Sequence, residues 1–138
     1  MAYWFAGFFA TDFPRPAALP EGVVWRDIAS PFVGVGVRLS ARCDAAPRPP
    51  LADVPALARS LGLDAAARWV YLDYVCWGGA INSVSGLGSR DGVPFGPVAE
   101  SARDKVEDAY TGLMERFGVS KPDALRFEPF TRGYWGEH

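Results

Sequence analysis

Large apolar side chains crowd the stretch from Trp69 to Trp77, which runs Trp-Val-Tyr-Leu-Asp-Tyr-Val-Cys-Trp around one carboxylate, Asp73. A run this rich in aromatic and β-branched residues predicts a strand. It stops at Gly78-Gly79, and a lighter run from Ala80 to Gly88 follows. A two-residue Gly-Gly loop supplies the positive φ angles of a tight hairpin turn. Residues 68–88 are therefore read as a β-hairpin.

Placing Trp77 opposite Ala80 sets the register for everything behind it. One hairpin face then carries Val70, Leu72, Tyr74 and Cys76, opposite Leu87, Ser85, Ser83 and Ile81. The other carries Trp69, Tyr71, Asp73, Val75 and Trp77, opposite Gly88, Gly86, Val84, Asn82 and Ala80. The first face reads as ordinary core. The second sets large rings beside small residues around a carboxylate, which makes a shelf or a groove.

Elsewhere the periodicity is simpler. Ala2 to Ala10 is continuously apolar, the pattern of a strand buried on both faces. Residues 23–28 predict a short strand. In 32–39 (FVGVGVRL) Val33, Val35, Val37 and Leu39 alternate with Gly34, Gly36 and Arg38. The two glycines lack a third glycine and a following helix, so they point to close approach of a helix or an aromatic ring, not to a nucleotide. Leu51, Val54, Leu57, Ala58 and Leu61 fall at helical spacing and predict a short helix over about 53–61, closed by Gly62. Val98, Ala102, Val106, Ala109, Leu113 and Phe117 predict one long helix over 98–117, opened by Pro97 and ended at Gly118-Val119. Residues 125–130 read as a last strand, and an aromatic tail follows.

These elements predict a single α+β domain over 1–138. Its antiparallel or mixed sheet has about five strands, the hairpin is central, and helices 98–117 and 53–61 cover one side. With 49% of residues apolar, the chain has a core to bury and is not a disordered one. A net charge of −2 argues against a nucleic-acid footprint. No apolar run approaches a membrane span. The N-terminal run has no basic residue before it and no small-residue cleavage site after it. It reads as a strand, and the protein as cytoplasmic.

Catalytic patterns are missing. The single histidine, His138, stands at the terminus, so neither a Ser-His-Asp nor a Cys-His arrangement can form. Cys43 and Cys76 make neither a disulfide framework nor a zinc set. Glycine-rich 86–92 lacks the Gly-Lys-Ser/Thr of a phosphate loop. No cofactor or metal is expected.

The resulting expectation is a small non-catalytic protein that binds another protein. By analogy of size and acidity alone, it is an inhibitor or an immunity-like module of the small bacterial type. The expected partner-binding residues are Trp69, Tyr71, Asp73, Trp77 and Arg132. Trp, Tyr and Arg dominate interface hot spots, and the carboxylate would select a basic group on the partner. Three alternatives stand beside this. The face is covered by the N-terminal strand segment, the small helix or the tail around Tyr134 and Trp135, with Asp73 paired to an arginine such as Arg126 or Arg132; the same aromatics line a small-molecule or enzyme pocket; or the hairpin edge or face forms a homodimer.

Overall fold

A computed structural model describes residues 2–11, 22–39, 49–77, 80–130 and 134–135. Its strands are β1 (Ala2–Thr11), β2 (Val24–Ile28), β3 (Gly34–Arg38), β4 (Arg68–Trp77), β5 (Ala80–Arg90) and β6 (Val93–Glu100). The helices are α1 (Val54–Ser60), α2 (Val106–Phe117) and α3 (Lys121–Leu125). All six strands form one antiparallel sheet in the order β2-β3-β1-β4-β5-β6. The architecture is α+β. It departs from the expected one in strand number, in the length of the main helix and in the placing of the helices.

β1 runs between β3 and β4, and both of its faces are covered along most of their length, with Trp4 only half-buried. Tyr3, Phe5 and Phe9 enter one core, and Phe8 and Ala10 enter another on the opposite side. This is why its sequence is apolar without alternation. The first core is roofed by α2, whose Val106, Tyr110, Leu113, Met114 and Phe117 form one buried stripe. The second is roofed by α1 and the turn after it, through Val54, Ala58 and Leu63. Helical cover is therefore on both sides of the sheet, where the pattern had placed it on one.

Two segments took a different secondary structure from the expected one. Residues 93–100 form β6, which takes 98–100 from the start of the expected helix. Pro94 and Pro97 cannot donate to a ladder, and both sit on an edge strand, where that costs nothing. After β6, Glu100 turns its carboxylate onto the amides of Ser101 and Ala102, at 3.1 and 3.2 Å, and the helix starts only at Val106. Residues 125–130 form no strand. Pro122 opens α3, and a 3-10 turn at Glu128–Phe130 follows. Phe127 and Phe130 pack edge-on against Phe9, with ring centroids 4.9 and 5.9 Å away.

Two expectations hold in detail. At the end of α2, Val119 N–H donates to Met114 O and Gly118 N–H to Glu115 O, the Schellman pairing, with Gly118 at φ +118°. At Gly36 a Cβ would lie 2.9 Å from the Trp135 ring and 3.0 Å from the Phe9 ring, so glycine there admits aromatic rings.

Candidate functional site

The hairpin register slips once. Trp77 pairs with Ala80 and Cys76 with Ile81, but Val75 pairs with Ser83, which leaves Asn82 as the extra residue of a bulge. A one-residue slip exchanges the faces of everything beyond it. Val84 therefore pairs with Tyr74 and enters the α2-side core, where the expected register had set it against Asp73. Ser85 takes the place beside Asp73, and Leu87 the place beside Tyr71. The face assignment of β4 is as expected: Val70, Leu72 and Tyr74 lie in the α2-side core, with Cys76 packed against it.

The second face of β4 is divided along its length. Trp69 and Tyr71 are 6% and 0% exposed, in the core under α1. The Phe8 ring lies 5.2 Å from that of Tyr71 and 6.1 Å from that of Trp69. Asp73 and Val75 are half-buried, and Trp77 is 59% exposed. Geometry explains the division. A seven-residue helix such as α1 is about 10 Å long, while a ten-residue strand such as β4 spans about 33 Å. The helix therefore covers one end of the strand. Of the residues expected at a partner surface, Trp69 and Tyr71 are therefore interior, Asp73 is half-buried and Trp77 is exposed. Arg132 lies outside the described residues.

What remains at the other end is a surface around Trp77. A hollow of about 280 Å³ is lined by Trp77, Ala80, Ile81, Asn82, Ser101 and Arg103. A second, of about 270 Å³, is lined by Asp73, Ser83, Val84, Ser85, Ala99, Glu100 and Ser101. The two meet at Ser101. Half-buried Trp4 pairs with Val75 across the β1–β4 ladder and shares its face. Its carbonyl accepts from Nη2 of the fully buried Arg38 at 2.7 Å.

Sequence reasoning missed Trp4, Glu100 and Ser101. Trp4 belongs here through strand order, and Glu100 through the pairing of β6. The polar Glu-Ser pair at 100–101, just before the helical stripe settles, was the signal that a strand ended there.

A larger cleft, of about 640 Å³, opens on the α2 face near the same end of the hairpin. Tyr74, Tyr110, Phe127 and Phe130 line it, with Ile81, Val106, Ala124, Leu125, Arg103, Glu107 and Arg126 among their neighbours. Arg126, one expected partner for Asp73, thus lies with Tyr74 on the other face. Tyr74 and Phe130 stack at 4.3 Å, and the Tyr110 hydroxyl donates to Ala124 O at 2.5 Å. Burial holds the Tyr74 phenol well above its ordinary range, and the adjacent Cys76 thiol adds to the shift. Burial does the same to Tyr110, helped by Tyr74. Both phenols stay neutral at any physiological pH.

Among the described residues no group of acidic, histidine or cysteine side chains could hold a metal ion. No described helix is long and apolar enough to cross a membrane. The chain matches no protein-family model, no curated protein and no solved structure.

Proposed function

We propose that this chain is a non-catalytic binding protein that holds a protein partner against the open end of its hairpin. One observation carries the reading: Trp77 keeps 59% of its surface in water on a strand whose other tryptophan is buried. An indole left out of a core of this size is apolar area available to a partner, and tryptophan is the side chain most enriched at binding hot spots. Beside it, Asp73 and Glu100 line a shallow, serine-rich hollow. A lysine or arginine of the partner would meet the Asp73 carboxylate there while its apolar neighbour covers the indole. The alternative of a pocket lined by Trp69, Tyr71, Asp73 and Trp77 together has less support, because the first two are packed under α1.

Site-specific photo-crosslinking tests the proposal. A benzophenone side chain is placed at position 77 and, as a control, at Val33, which is 66% exposed. The reading expects one dominant adduct from position 77, none from 33, and loss of the adduct in Asp73→Asn. Equal labelling from both positions, or none from 77, refutes it. An adduct of twice the chain mass would make the partner a second copy.

A further inference from the structure

The 640 Å³ cleft between the hairpin, α2 and α3 shares Ala80, Ile81 and Arg103 with the hollow at Trp77, but its other lining gives it a chemistry of its own. Its floor is made of rings. Tyr74 and Phe130 stack within 13° of parallel, and Tyr110 lies 5.4 Å from Tyr74 and 5.7 Å from Phe130. Tyr110 is 1% exposed and its hydroxyl is committed to Ala124 O, so it backs the floor from within the core, and half-buried Phe130 is the ring that faces the cleft. Ile81, Val106, Ala124 and Leu125 wall the cleft from three elements, and Leu125 is 46% exposed at its lip. The volume falls within the range of small-ligand sites, about 300–1,000 Å³.

The rim is charged, and unevenly. Arg103 and Arg126 both line the cleft, against a single carboxylate, Glu107. Among the described residues neither arginine makes an ion pair. Arg126 Nε donates to Pro122 O at 3.5 Å, which holds that guanidinium at the edge of α3. The N-terminus of α2, at Val106 and Glu107, lines the same space and turns the positive end of the helix dipole toward it. An aromatic floor under two guanidiniums favours a molecule with a flat apolar body and an anionic end. Guanidinium matches a carboxylate through two parallel hydrogen bonds, which a neutral amide cannot reproduce. A cationic head would meet two like charges.

We propose that this cleft binds a small aryl or arylalkyl carboxylate, its ring against Phe130, Ile81 and Leu125 and its carboxylate between Arg103 and Arg126. The occupant is a free organic anion of one or two rings. Trp77 itself does not line the cleft, so Trp77→Ser tests the one site without the other.

Three probes of one shape test this: 1-naphthaleneacetate, its neutral amide, and 1-naphthylmethylamine. Each is titrated into the full chain by calorimetry and by backbone amide NMR. The expected result is saturable binding of the acid, with shifts centred on Ile81, Tyr110, Ala124 and Leu125. The amide binds about tenfold more weakly or worse, and the amine weakest. In Arg103→Gln/Arg126→Gln, two exposed positions where folding should survive, acid affinity drops about tenfold and amide affinity holds. Ala80→Trp fills the mouth from the hairpin side and blocks the acid, while Trp77→Ser leaves it unchanged. Equal binding of acid and amide overturns the proposal. So do shifts centred on Trp77, indifference to the double arginine variant, or no saturation in the millimolar range.

Discussion

Replacing Trp69 and Trp77 in turn by alanine separates core from surface on a single strand. Trp69 is 6% exposed and packs with Phe8 and Tyr71 beneath α1. Its removal leaves a ring-sized void between a sheet and a short helix, and buried aromatic-to-alanine changes cost about 3–5 kcal/mol. Less than half of Trp77 is out of water. That corresponds to roughly 80 Å² of apolar contact, worth at most about 2 kcal/mol at ~25 cal/mol per Å². Because a real unfolded chain already hides some of that area, the Trp77 figure is an upper bound. Urea unfolding followed by far-UV circular dichroism reads both. With a slope near ~1.5 kcal/mol per molar, Trp69→Ala should lower the midpoint by roughly 2–3 M, and Trp77→Ala by about 1 M or less. The slope should stay constant in both. If Trp77→Ala costs as much as Trp69→Ala, the indole at 77 is part of the core. The division of β4 into a covered and an open end would then be refuted, and the proposed partner surface with it.

Two further outcomes follow from the register and the buried phenols. Deleting Asn82 removes the bulge but keeps Val75 opposite Ser83 and Tyr74 opposite Val84, so stability should change by less than about 1 kcal/mol. Deleting Ser85 instead drives Leu87 toward the wrong face and should cost several times more; equal costs in urea unfolding would rule out the assigned register. The raised phenols of Tyr74 and Tyr110 predict an alkaline weakness. Above about pH 10 the unfolded chain releases these protons and the folded one keeps them, so stability falls as pH rises, by up to about 1.4 kcal/mol per pH unit for each group. Below that pH the two groups add no slope. Tyr110→Phe should flatten the alkaline fall by one group's share in denaturant titrations between pH 9 and 11, and an unchanged slope would contradict the burial of that hydroxyl.

Much of this protein was legible along the chain. The hairpin, the two-sided burial of β1, the glycine at 36 admitting rings, and the Schellman end of α2 all depend on local pattern, and all are present. Errors came where two local signals competed. Pro97 is favoured at a helix start, but it is also tolerated on an edge strand, and the pairing of β5 with β6 decided for the strand. Leu125 and Phe127 have strand-like spacing, but the space over Phe9 and Tyr74 made Phe127 and Phe130 part of an aromatic plug.

The sequence by itself determined which residues share a face of β4, because side chains alternate on a strand whatever surrounds it. Only the tertiary structure decided how far along that face the cover reaches. A seven-residue α1 stops short of Asp73 and Trp77, and where a helix ends over a sheet depends on contacts between residues far apart in the chain. The cleft beneath Arg103 and Arg126 has the same origin. Its lining comes from β4, β5, α2, α3 and the segments that follow β6 and α3, and no spacing along the sequence records that they meet.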